Sequence, residues 1–132
     1  AKINNGTVIS CDPRDVRSEK YKDLYDDVCY YFKDTSKFLG ESNQVENIDL
    51  FYIDGLHDEG TVIRDLVNLV DKQSRNPVWI FDDFDTRFGC FKDIIKIISF
   101  SNGFKVWKVG LTASGKPSHQ VMVNTRFSVN EN

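Results

Sequence analysis

No run of this chain approaches the roughly 20 consecutive apolar residues that a membrane-spanning helix needs. Its first residues, A-K-I-N-N-G, also lack the basic-then-apolar pattern of a secretory leader. A soluble, cytoplasmic protein with no membrane partner is expected. Positive charge is in deficit: 17 lysines and arginines face 20 aspartates and glutamates, a formal net charge of -3. That balance argues against a nucleic-acid partner. Cysteine is scarce and odd in number. Cys11, Cys29 and Cys90 are widely spaced in apolar strand or helix contexts, so buried thiols in a reducing compartment are expected rather than disulfides or a zinc site. Internal repeats, low-complexity tracts and a phosphate-cradling G-x-x-x-x-G-K-[ST] are all missing.

What is present is one domain of 132 residues, 40% hydrophobic and 28% charged. Its organising stretch is Ile48 to Phe84. Two short apolar runs, Leu50 to Ile53 and Val78 to Phe81, each stop on carboxylates: Asp54 after the first, Asp82 and Asp83 after the second. Rich in β-branched and aromatic residues, they read as strands buried on both faces. Between them Val62, Ile63, Leu66, Leu69 and Val70 recur at helical spacing, with Arg64, Asp65, Asn68 and Asp71 interspersed. Strand, helix and strand form a βαβ unit whose crossover makes the strands parallel. The three acids therefore gather at the carboxyl edge of the sheet, where ligands bind in open α/β folds.

The flanking segments extend the pattern. Gly6 to Cys11 reads as a strand ending on Asp12, followed by a helix over Arg17 to Asp27 and a strand over Val28 to Phe32. Asp34, Thr35 and Ser36 form an N-cap cluster for a short helix to Leu39 that Gly40 ends, and Glu41 to Asn47 is loop-like. After F-D-T-R-F-G, a helix sets Phe88, Phe91, Ile94, Ile95 and Ile98 on its apolar face and Lys92, Asp93 and Lys96 on its wet one. Phe104 to Val109 and His119 to Val123 read as an antiparallel hairpin around a turn at Thr112 to Ser118, and the tail from Asn124 as polar and frayed. The fold class is α/β: a Rossmann-like, mostly parallel sheet with helices on both faces and a C-terminal antiparallel hairpin.

At this point I-D-L-F-Y-I-D-G-L-H at 48–57 followed by F-D-D at 81–83 resembles the class I S-adenosylmethionine-dependent methyltransferases. The likeness is to the metal-dependent O-methyltransferases of the macrolide-sugar type. It extends over Gly6 to Val123, and the terminal hairpin agrees with it. The resemblance implies S-adenosylmethionine and Mg²⁺ as cofactors and a small-molecule or sugar hydroxyl as acceptor. It also implies Asp54, Asp82 and Asp83 as magnesium ligands and His57 as general base. Asp12 would hydrogen-bond the cofactor ribose and Asp34 would lie near the adenine amine. The family's first strand and glycine-rich loop should precede Gly6, where five residues stand, so the expected domain is partial and truncated at its N-terminus. In the family that strand lies between those ending at Asp12 and Asp54. Either these two pair directly, or another segment, a partner chain or a second copy fills the place, or the chain is a fragment.

The residues themselves leave plainer alternatives open. Asp54 before Gly55 suits an ordinary turn, although a turn does not explain the Asp82 and Asp83 pair. Asp83 suits a helix cap or an exposed acid, His57 a surface histidine ahead of Asp58 and Glu59, and Asp34 an N-cap. His119 is expected to be structural. Three carboxylates with water form a hard oxygen set that suits Mg²⁺. The rival functions are a catalytically inactive methyltransferase-fold domain serving binding or assembly, and a Mg²⁺-dependent phosphoryl-transfer protein.

Overall fold

The computed structural model describes residues 6–14, 29–32, 34–56, 58–101, 106–108, 115–116 and 119–128. The expected helix over Arg17 to Asp27, His57 and most of the turn at Thr112 to Ser118 lie outside them. In chain order the elements are β1 (Val8–Cys11), β2 (Cys29–Phe32), α1 (Ser36–Glu41), β3 (Ile48–Ile53), α2 (Thr61–Leu69) running into a 3₁₀ turn (Val70–Lys72), β4 (Gln73–Phe81), α3 (Cys90–Phe100), β5 (Val106–Lys108) and β6 (Val121–Val123).

The central βαβ unit is as read: β3 and β4 are parallel, with Leu50 opposite Val78 and Ile53 opposite Phe81. The hairpin is also present, β6 running antiparallel to both β5 and β4. One expectation is corrected. The described strands form two sheets, the parallel pair β1-β2 and a mixed sheet in the order β3-β4-β6-β5, and no ladder joins β1 to β3. Described pairings are therefore divided between parallel and antiparallel, not mostly parallel.

Nor is β3 buried on both faces. Phe51 and Ile53 point into the core, whereas Leu50 and Tyr52 are 56% and 51% exposed, the period-two alternation of a half-buried strand. The inward face is aromatic. Phe51 stacks on its ladder partner Trp79 with ring centroids 3.8 Å apart, Trp79 lies parallel to Phe81, and Phe127 meets Trp79 edge-on. Trp79 and Phe81 are fully buried. Val62, Leu66 and Leu69 of α2 cover this face as their spacing predicts. The tail from Asn124 to Ser128 is not frayed in its packing: Phe127 is buried, and Asn124 donates to the Pro77 carbonyl at 2.9 Å.

The expected apolar face of helix α3 is borne out in part: Ile94 is buried, and Phe88 and Ile98 pack against the core. Cys90, Asp93, Ile94 and Ile97 are buried, while Ile95 is 45% exposed. Asp93, assigned above to the wet face, is buried instead. Its Oδ2 accepts the Gly60 N–H at 2.8 Å and the Ile63 N–H at 3.4 Å. Helix α2 starts after Gly60, which has no side chain to cap the helix's unpaired N–H groups, and Asp93 supplies the missing acceptor from the neighbouring helix. Gly40 does not end α1, which runs on to Glu41. A Cβ at position 40 would collide with the Asn68 carbonyl, so glycine there lets α1 lie close against α2.

Strand β4 begins five residues before its apolar run, at Gln73. That buried side chain uses both ends of its amide. Nε2 donates to the carbonyls of Val70 and Phe127, each at 2.8 Å, and Oε1 accepts the Trp79 indole N–H at 3.0 Å and the Phe127 backbone N–H at 2.9 Å. His119 precedes β6 instead of starting it. It is exposed, and its carbonyl accepts the Phe84 N–H at 2.6 Å.

Candidate functional site

Because β3 and β4 are parallel and Ile53 pairs with Phe81, the residues after them leave the sheet at one edge. The Asp82 N–H donates to the Ile53 carbonyl at 3.0 Å and extends the ladder by one step. Asp54, Asp82 and Asp83 each place a carboxylate oxygen so that all three lie within 4.8 Å of one another. Asp82 Oδ1 accepts the Asp83 N–H at 2.8 Å, where the chain turns sharply. Asp83 itself is in the left-handed region, φ 60°, a conformation that costs a residue with a Cβ about 1 kcal/mol or more and that aspartate tolerates better than most. Its carbonyl accepts the Asp85 N–H at 2.8 Å; the residue is half-buried, and Gly89, not Asp83, stands at the N-cap of α3.

The electrostatics of the cluster are those of crowded like charge. Loss of solvent, then the charges of Asp82 and Asp83, push the Asp54 carboxyl up to about 6. Burial of the phenol, followed by Asp82 and Asp54, pushes Tyr52 up to about 12, so it remains a neutral hydrogen-bond donor. The Tyr52 hydroxyl donates to Asp82 Oδ2 at 3.3 Å and accepts the Gln120 side-chain N–H at 2.6 Å. Asp85 does not join the cluster. Arg87 grips it through two nitrogens, holding its carboxyl down to about 2.

A raised carboxyl pKa means that the folded, cation-free chain holds a proton that the unfolded chain releases. Asp54 therefore contributes stability that is complete below its ordinary 3.8 and lost as pH rises towards about 6. Asp54 is exposed as a residue, so solvent screening moderates the slope. In the absence of divalent cation, the thermal midpoint is expected to fall across that window, and Asp54→Asn to flatten the fall. An unchanged slope in Asp54→Asn would assign it to other groups.

The other acids stand apart from this trio. Asp12 ends β1; its Oδ1 accepts the Arg14 N–H at 2.7 Å and its own N–H donates to the Phe32 carbonyl. Asp34, exposed beyond β2, accepts the Thr35 N–H at 2.8 Å and does not cap α1. Both occupy the carboxyl ends of the two-stranded sheet. A cavity of about 310 Å³ lined by Thr7, Ile9, Phe32, Gln44 and Val45 contains none of the five acids. His57 lies outside the described residues. Tyr52 and Gln120 belong to the site and were not singled out from the sequence. Tyr52 was within reach, as the residue two before Asp54 on an alternating strand; nothing local marks Gln120.

The only donors in the trio are carboxylate oxygens, confined to a few ångströms and repelling one another, which fits a hard divalent cation. A family model described as "Methyltransferase domain" matches residues 1–84 of the 132. No curated protein matches the chain.

Proposed function

We propose that this chain, which belongs to the methyltransferase domain family, is an S-adenosylmethionine-dependent O-methyltransferase acting with Mg²⁺ on a hydroxyl of a small molecule or sugar. The family points to S-adenosylmethionine as the methyl donor. The observation that carries the finer reading is the Asp54, Asp82 and Asp83 trio at the shared end of two parallel strands.

In this reading Asp54, Asp82 and Asp83 hold Mg²⁺, which when bound lowers the pKa of the acceptor hydroxyl and orients it. The strand ends fix the three carboxylates, so little reorganisation is needed as the acceptor approaches, and methyl transfer depends chiefly on such positioning. His57, three residues after Asp54, is the proposed acceptor of the hydroxyl proton at an imidazole nitrogen. Asp12 and Asp34 are acceptors at adjacent strand ends, suited to a ribose hydroxyl and an adenine amino group. Each uses Oδ1 in a local turn.

One feature favours the rival function, a methyltransferase fold used for binding or assembly without methyl transfer. The two proposed cofactor acids follow the strands of a sheet that, among the described residues, shares no ladder with the strands of the metal trio. Titration calorimetry with S-adenosylmethionine, with and without Mg²⁺, decides between them. Micromolar binding that is lost in Asp12→Ala is the expected result. A folded chain that binds none of the cofactor would retire the enzyme reading and leave the rival.

A further inference from the structure

Among the three clustered acids, Asp82 has both carboxylate oxygens hydrogen-bonded. Oδ1 accepts the Asp83 N–H at 2.8 Å and Oδ2 accepts the Tyr52 hydroxyl at 3.3 Å. With one bond on each oxygen, the plane of the carboxylate is set from two sides, and each oxygen keeps lone-pair capacity for a cation. The Tyr52 proton is directed in turn. Gln120 Nε2 donates to the phenol oxygen at 2.6 Å, so the phenol's own proton must go elsewhere, and Asp82 Oδ2 is the acceptor in reach. Tyr52 stands on β3, Asp82 follows β4 and Gln120 precedes β6, three strands that are neighbours in one sheet. The ladder register of that sheet thus sets the orientation of a carboxylate at its edge. Tyr52 points away from the core and is half exposed, so its hydroxyl contact is not needed to fill the interior.

We propose that Tyr52, itself oriented by Gln120, is a positioning residue that fixes the Asp82 carboxylate for cation binding; this rests on the reading of Asp54, Asp82 and Asp83 as metal ligands. Groups that orient a ligand in this way commonly change metal affinity 10- to 100-fold when removed, and the length of the Tyr52 bond places its effect at the lower end.

The test uses Mn²⁺ as the probe, with binding followed by the loss of the free-ion electron paramagnetic resonance signal and the site's symmetry by the spectrum of the bound ion. Tyr52→Phe is expected to weaken Mn²⁺ binding about tenfold and to change the bound spectrum, while the thermal midpoint of the cation-free protein holds. Gln120→Leu is expected to act in the same direction by a smaller factor. Because it acts through Tyr52, adding it to Tyr52→Phe should cost nothing more. Affinity and spectrum unchanged in Tyr52→Phe, with wild type binding normally, would overturn the inference and leave the ligand reading intact. A wild-type chain that takes up no Mn²⁺ would overturn both, and the two failures are told apart by the wild type alone.

Discussion

Gln73→Ala is expected to destabilise the fold by on the order of 4 kcal/mol. The amide of Gln73 satisfies four groups at once: the Trp79 indole N–H, the Phe127 N–H, and the carbonyls of Val70 and Phe127. A buried donor or acceptor left without a partner costs about 1–3 kcal/mol, so even the low end of that range for four groups is a large part of the roughly 5–15 kcal/mol that holds a domain folded. The loss also propagates. Phe127 is tied to β4 through this amide and packs edge-on against Trp79, which stacks on Phe51, so the tail loosens from the aromatic core with it. Gln73→Met, close in shape but unable to reproduce the bonds, should be nearly as damaging. Urea denaturation measures the effect. A Gln73→Ala protein within about 1 kcal/mol of wild type would mean that water replaces the amide, contrary to its burial. Trp79→Phe in the Gln73→Ala background should cost less than it does alone, since the indole N–H has then already lost its acceptor.

Asp82→Ala is expected to remove most of the affinity for Mg²⁺, exceeding the roughly 10- to 100-fold that loss of a merely supporting group causes. It takes away one of three carboxylates, the one whose turn and hydrogen bonds seat its neighbour Asp83. The same substitution should act oppositely on the cation-free protein. After loss of solvent, the Asp82 charge is the largest influence that raises the Asp54 carboxyl, so its removal lets Asp54 relax towards the ordinary carboxylate range and relieves repulsion in the folded state. Metal affinity lost while cation-free stability at neutral pH is kept or raised is the pattern of residues retained for function at the expense of the fold. Calorimetric titration with Mg²⁺ and thermal unfolding in chelator measure the two halves. Retained Mg²⁺ affinity in a folded Asp82→Ala protein would remove the site.

Two apolar runs, each stopping on carboxylates with a helical period between them, were enough to place β3, α2 and β4 and to bring Asp54, Asp82 and Asp83 together. Hydrophobic periodicity carries that information because burial and strand direction follow from it directly. It fails where a polar side chain is buried for the bonds it makes. Gln73 opens a polar stretch, Q-S-R-N-P, ahead of the apolar run, yet its amide anchors the first residue of β4. Asp93 looks like one more charge between two lysines, yet it closes the end of a helix 30 residues away in sequence. The exposed face of β3 departs from the pattern for the opposite reason: Leu50 is apolar without being covered. The break between the two sheets concerns which strands share hydrogen bonds, which no local pattern specifies.

The left-handed backbone at Asp83 also restricts the alphabet of residues that the position accepts. Glycine, asparagine and aspartate are the residues that visit that conformation readily, and of these only aspartate carries a charge. Glycine would relax the turn and asparagine would keep an oxygen, but either would take one negative charge from the cluster. Glutamate would keep the charge and strain the turn. On the proposed metal reading, the backbone and the cation would select the same side chain independently.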